Sequence, residues 1–594
     1  MPRERLRAWA TVLVMLVALF ALGCRSRGTA PSPSASASAA SVRPEPEPSG
    51  VLAEIFVAHP DQAWGRFQPL LASALGFKPV TLAATLTDLL GIPAAYSPGV
   101  AIEKPIVGVL VDGDSPRAVI GVRMTSGAEL VAALSTGHDP THLARMLEGG
   151  RVTQLEPRRR GPVGGLAMGV CGNTLLVGAH GADLAKFGPY VARQLPARLE
   201  QAAGPAMANA AGQVRPPEGA LVFVVSGKTL RGTGVERLER QWKQVKRRLE
   251  HQAGDQRRRH GDRAPDFAEP AAVIAGVDEM SRQLIGLLGD AASLTVVVEP
   301  SGGVVEVRTL LASGGRDAVA QVAGSWPAGD SRTLLRLPRE TVAAVAFAST
   351  ESGRQATGRR IAAALTHLFG ARLGVADRNL VAKALGDLNR GRGDDLSIGL
   401  VATADGAGVA VGAASRDARA LDAGVRGVLQ SLQLPAVAEP LDVFVGRPRV
   451  AIDSMRVDGL KQPATRASIV WVARQGTDAP SPARLLWTVE NDRFHAAMGP
   501  AASQVLAAQV RAMADEASSL AADERLVSAL GRVEREATMT LFLRPEVLGG
   551  PRPGDPAQPL VLSMGSAGEN LSVRMELDHA TLASALRSQL GLRP

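Results

Sequence analysis

One pattern constrains the fold of this 594-residue chain more than any other, because it occurs six times. Two alternating apolar runs flank a polar turn, and an Ala/Leu-rich helical stretch follows. The six are "IVGVLVDGDSPRAVIGVRM", "LAMGVCGNTLLVGA", "SLTVVVEPSGGVVEVRTLL", "DLSIGLVATADGAGVAVGAAS", "RLLWTVENDRFHAAMG" and "LVLSMGSAGENLSVRMEL". Period-two runs around such turns are the signal of a β-hairpin. Gly, Asn and Asp at the turns tolerate the positive φ that tight hairpins need. Ser, Asp or Thr where the helices start can cap their first free amides. A second pattern, strand then polar loop then helix, recurs in "VLAEIFVAHPDQAWGRFQPLLASAL", "GALVFVVSGKTLRGTGVERLERQW" and "TVAAVAFASTESGRQATGRRIAAAL", and "ATMTLFLRPEVLGG" begins the same way. The chain therefore reads as α+β: tandem modules of largely antiparallel sheet, with helices packed on one face. The expected modules are 51–215, 216–330 with a basic insert at 236–266, 331–435 and 436–594, each of ordinary domain size.

The amino terminus reads differently. "MPRERLR" is basic, "AWATVLVMLVALFALG" is uncharged, and a cysteine follows. A basic start, a short apolar run and small residues at its end are the parts of an export signal. The run is short for a permanent span, which needs about 20 apolar residues. Ala21-Leu22-Gly23-Cys24 resembles a bacterial lipobox, and that resemblance implies cleavage after residue 23 and diacylglycerol on Cys24. An uncleaved anchor, or cutting within "SASASAA", remain the alternatives. Arg25 is not the aspartate that resembles an inner-membrane retention signal, so the outer membrane is the expected address. Residues 24–50 are dominated by Pro, Ser and Ala, cannot bury enough surface to offset their ordering entropy, and read as a spacer.

Lipobox, Pro/Ser spacer and serial strand–helix–hairpin–helix body together resemble a type of large lipoprotein found in myxobacterial-style, GC-rich proteomes. The resemblance implies an envelope location and a modular body, and brings no activity with it.

Two cysteines in a chain this long mean that, with Cys24 lipidated, Cys171 has no partner for a disulfide. Cys171 lies in "VCGNTLLVG", a hairpin turn with no base nearby in sequence to lower its pKa. "SGKT" (Ser226 to Thr229) follows a strand, but a phosphate-cradling loop also needs a glycine where Val222 stands. His138 and His142 have metal-like spacing, yet Asp139-Pro140 reads as a helix cap and first helical residue, leaving His138 outside and both histidines at the surface. Asp112 with Asp114, and Asp394 with Asp395 in "GRGDDLS", lack the ligand count of a calcium loop. No cofactor or metal is expected.

One segment departs from the rest. "ERLERQWKQVKRRLEHQAGDQRRRHGDRAPD" is polar and basic, in a chain whose net charge of +9 is otherwise mild. Leu238, Trp242, Val245 and Leu249 have helical spacing and are expected to pack, while Arg257 to His260 reads as an exposed loop. Lys243, Lys246, Arg247, Arg248, Arg257, Arg258 and Arg259 form a candidate patch for an anionic envelope component or an acidic protein. The plainer reading is a solvated helix. Nucleic acid is not expected, since Trp242 alone could stack on a base.

The function expected from sequence is that of an exported, lipid-anchored, non-catalytic binding or scaffold protein of the cell envelope. Two alternatives stand beside it: an envelope-polymer hydrolase with a site assembled from distant loops, and a carrier of an apolar ligand.

Overall fold

The structure is a computed structural model. It describes residues 47–75, 81–112, 117–136, 140–147, 149–158, 166–202, 219–260, 278, 281–283, 285–301, 303–315, 317–369, 373–404, 406–444, 446–472, 482–532, 537–544 and 558–579. Cys24, His138, Asp114 and the spacer before residue 47 lie outside the described residues, as do the side chains of Arg257, Arg258 and Arg259.

Residue contacts divide the chain into two compact units. Ten strands build the first: β1 (Val51–Val57), β2 (Ile106–Val111), β3 (Arg117–Arg123), β4 (His142–Met146), β5 (Thr153–Pro157), β6 (Ala167–Cys171), β7 (Thr174–Gly178), β8 (Leu221–Ser226), β9 (Ser293–Ser301) and β10 (Val304–Ala312). They pair antiparallel in the order β10-β9-β8-β1-β2-β3-β7-β6-β5-β4. Ten more build the second: β11 (Thr341–Ala348), β12 (Arg392–Thr403), β13 (Gly406–Ser415), β14 (Arg447–Met455), β15 (Ala464–Val472), β16 (Ala483–Glu490), β17 (Arg493–Met498), β18 (Met539–Leu543), β19 (Leu560–Ala567) and β20 (Asn570–Asp578). Their order is β20-β19-β18-β11-β12-β13-β17-β16-β15-β14.

The second order is the first with ten added to every strand, so the chain is an internal duplication. The registers agree in detail. β1 slips against β2 between Val51 and Ala53, and β11 slips against β12 between Thr341 and Ala343. The α+β class with antiparallel sheet is as expected. Strand pairing runs across the expected module limits at 215 and 435, because β1 pairs with β8 and β11 with β18.

All six hairpins form where the turn residues place them. Asn491 (φ 49°) and Asp492 (φ 57°) both sit in the left-handed region between β16 and β17, the backbone of a type I′ turn. Helices cover both faces of each ten-strand array rather than one. In the second unit Leu486 and Ala497 join a core with Val505 and Leu526, while their neighbours Trp487 and Ala496 join another with Leu421 and Leu429. Adjacent strand residues point to opposite faces, so both must be apolar when both faces are covered. In the first unit, one core collects Val107, Val109, Leu184 and Leu195, and the other Val122, Leu130, Leu155 and Leu175.

Small residues let the helices close in. A Cβ on Gly424 would lie 2.5 Å from the Leu388 backbone nitrogen, so the helices Val375–Gly391 and Ala418–Ser431 pack almost backbone to backbone. Among the described residues no helix is long and apolar enough to cross a membrane.

Candidate functional site

The strand–loop–helix joint after β11 builds the site. β11 ends at Ala348, the loop Ser349-Thr350 turns, and the helix Glu351–Phe369 begins. The Thr350 hydroxyl accepts from the Gly353 amide at 3.1 Å and caps the first turn. One turn in, Arg354 drops back under the strand end, where its side chain is 0% exposed. Its Nη1 donates to Asp394 Oδ1 at 2.6 Å and to the Ser349 carbonyl at 2.8 Å, and its Nε to the Asn389 carbonyl at 3.4 Å. Its Nη2 is buried with no acceptor among the described residues. Buried polar groups are nearly always paired, so an orphan N–H on a buried cation is uncommon.

A second arginine shares the place. Arg392 opens β12, reaches the Ser349 hydroxyl at 3.4 Å, and keeps its Nε shut from solvent without an acceptor. Burial and then the Arg354 charge pull its pKa down to about 10, with Asp395 and Asp394 opposing. Both nearby acids are engaged elsewhere. Asp394 accepts from Arg354 and, through both oxygens, from Arg416 Nη2 at 2.9 Å. Asp395 accepts from Arg493 Nη2 at 2.9 Å and from the Ala414 amide at 2.6 Å. The Arg354 hydrogen bond outweighs the opposing effect of burial and holds the Asp394 carboxyl below the usual range.

The two arginines line a partly open cavity of about 90 Å³. Its remaining wall is hydroxyl groups from Ser349, Thr350, Thr357 and Thr538 and apolar side chains, among them Trp326, Phe347, Leu396, Met539 and Met564. No acid lines it. The amino end of a long helix, two guanidinium groups and several hydroxyls all favour negative charge there. A more polar cavity of about 330 Å³ adjoins Phe347, Ala348 and Thr538, and Asp330, Arg336, Asp394 and Asp395 line it.

The duplication supplies a comparison. Val51 matches Thr341 by register, and equal spacing then matches Trp64 with Arg354. The first copy thus carries an indole where the second carries a buried cation. Its own charged cluster stands elsewhere: Glu54 on β1 accepts from the Tyr190 hydroxyl at 2.6 Å and from Arg198 Nη1. Burial raises the Glu54 pKa against the pull of Tyr190 and Arg198. Burial, then the Glu54 hydrogen bond, raises that of Tyr190. Tyr190 opens a π-helical turn, Tyr190–Gln194, a distortion found often at functional positions.

The residues singled out by sequence fare differently. Asp394 and Asp395 lie within β12, not before it, and serve the arginine cluster. His142 is buried at 2% exposure on β4 and not at the surface, because the chain after Pro140 extends into a strand instead of a helix. Burial lowers its pKa. Among the described residues no group of His, Cys, Asp and Glu could hold a metal. Cys171 is buried at the end of β6, beside Gly172 at φ 58°. The Ser226 hydroxyl accepts from the Thr229 amide at 3.2 Å, so "SGKT" is a helix cap.

The basic segment is one helix, Val235–His260, and Arg257 to His260 continue it rather than form a loop. Lys243, Arg247 and Arg248 are exposed. Lys246 is half-buried, 3.4 Å from Asp278, which also accepts from the Trp242 indole. Val245, expected to pack, is 43% exposed. Sequence reasoning passed over Arg354 and Arg392; the available cue was an arginine near the start of an element, the fourth residue of the helix in "STESGR" and the first residue of β12 in "NRGR".

No family model matches the chain, and no curated protein matches it. Among solved structures, crystal form IV of TP0453 aligns with 45% of this chain and 80% of its own, at 8% identity and a TM-score of 0.21. Crystal forms III and I of TP0453 align with 46% and 48% of this chain and 82% and 85% of their own, at the same identity and TM-score.

Proposed function

We propose that this chain is an exported, non-catalytic binding protein of the cell envelope, held on the outer membrane by a lipid on Cys24. Its body would bind a small anion in the two-arginine pocket of the second copy. The lipobox-like Ala21-Leu22-Gly23-Cys24 supports the anchor. One observation carries the binding reading: Arg354 is fully buried, and one of its N–H groups has no acceptor among the described residues. A cation placed this way is stabilised when an anion takes the free donor. The exposed Lys243, Arg247 and Arg248 support a second contact, with an anionic envelope component or an acidic protein.

The test is calorimetric titration of the full chain with acetate and with inorganic phosphate, on wild type and on Arg392→Gln. Among the described residues the Arg392 side chain makes one long hydrogen bond, at 3.4 Å to Ser349, so its replacement is expected to leave the scaffold in place. The reading expects one of the two anions to bind and the variant to bind it about tenfold or more weakly, the loss expected for one charge-assisted hydrogen bond. No binding of either anion, or equal binding by both proteins, defeats it.

A further inference from the structure

We infer that the pocket takes an aliphatic monocarboxylate, with the carboxylate on Arg354 and Arg392 and the first carbons against the apolar wall. This rests on the anion-binding reading above and names the ligand class.

Three observations bear on it: two call for an anion, and the third calls for an aliphatic body. The first is charge. Asp394 pairs with Arg354, Asp395 with Arg493 and Glu351 with Arg416, while Arg392 has no acid to itself and Arg336 adds a further cation 4.0 Å from Asp395. The cluster therefore carries excess positive charge, which an anion offsets. The second is donor count. Arg354 Nη2, which carries two N–H groups, and Arg392 Nε are buried with no acceptor among the described residues. Donors from two guanidinium groups suit the two oxygens of one carboxylate. The third is the wall. Trp326, Phe347, Leu396, Met539 and Met564 offer nothing to a bare inorganic ion, which would keep its water there. They do remove methylene groups from water.

Size limits the body. The cavity of about 90 Å³ is smaller than the roughly 150 Å³ cavity that accepts benzene, so a few carbons fit inside. A longer chain must continue through the open side.

The first copy marks the specificity. With Trp64 in the place of Arg354, it lacks the cation that the carboxylate needs. A single site per chain is therefore expected.

The experiment titrates the full chain with acetate, butanoate, hexanoate, hexan-1-ol and inorganic phosphate. Affinity is expected to rise about fourfold per added methylene while the cavity fills, with a stoichiometry of one. Hexan-1-ol should bind at least tenfold more weakly than hexanoate. Two variants report separately. Arg392→Gln should weaken every carboxylate alike. Met564→Gln should weaken hexanoate and leave acetate unchanged. If acetate binds as tightly as hexanoate, the aliphatic part of the assignment fails, and if phosphate binds more tightly than hexanoate, the monocarboxylate assignment fails, while the anion site stands in both cases. If hexan-1-ol matches hexanoate, the carboxylate assignment fails. If no anion binds, both readings fail.

Discussion

Replacing Asp394 by asparagine isolates what the buried arginine requires. The change keeps the side-chain volume and removes one negative charge. Asp394 Oδ1 lies 2.6 Å from Arg354 Nη1, and both its oxygens lie 2.9 Å from Arg416 Nη2. The two arginines do not count equally. Arg416 is 43% exposed, so water and salt replace most of what the pair contributes. Arg354 is 0% exposed, and without Asp394 its charge keeps carbonyl partners alone. Stranding one member of a fully buried pair costs about 3–5 kcal/mol. Asp394 itself is 62% exposed, which lowers that figure, and the remaining charge-assisted bond is worth about 1.5–3 kcal/mol. A loss of roughly 2 kcal/mol at pH 7 follows.

The pH dependence has a definite sign. The folded pKa of Asp394 is depressed, mainly by the Arg354 hydrogen bond, so its contribution is present above the unfolded value of 3.8 and fades as pH falls through the folded value. Wild type and variant should therefore differ at pH 7 and converge below 3.8. Urea unfolding at both pH values measures the gap, and 1 M salt should shrink it only in part, because the buried contact is screened least. A gap under about 0.5 kcal/mol at pH 7, within the range of ordinary surface changes, would refute the reasoning. So would a gap that does not change with pH.

Two further outcomes are expected. Asn491→Val forces a β-branched residue to φ 49° and should lower stability by about 1–2 kcal/mol, whereas Asn491→Gly should be near neutral; thermal unfolding of the two variants checks the difference. Cys24→Ser should abolish palmitate labelling and leave a precursor of higher mass, and labelling that persists in the variant rules out the lipid anchor.

Local chemistry made part of this fold legible. Asn491-Asp492, Gly172-Asn173 and Gly568 announced their hairpins because a turn is decided by a few neighbouring residues. Pairing across distance was hidden. Nothing in "VLAEIFV" says that its second neighbour is "LVFVVS", so four expected modules were read where strand pairing makes two sets of ten. β4 and β14 escaped because one is short and largely exposed and the other alternates weakly. The basic helix was cut short because Arg-rich sequence looks like solvent-exposed loop, although arginine is a good helix former. The candidate site was least legible. Arg354 and Arg392 are ordinary residues in the sequence, and only the meeting of the β11 end, the β12 start and a helix brings their side chains into one cavity.

The wiring of the two ten-strand arrays also sets an order of events in time. β1 lies between β2 and β8, and Ile55 must wait for Phe223 before its second edge is closed. In the second copy Val345 waits in the same way for Leu541. Pairings this far apart in sequence have high loop-closure cost and make folding slow. A chain emerging from its amino terminus thus carries an apolar, half-paired strand until most of each repeat has appeared. Such an edge invites association with other chains. The duplication doubles that exposure, once for each copy, and makes shielding of the nascent chain a requirement of this topology.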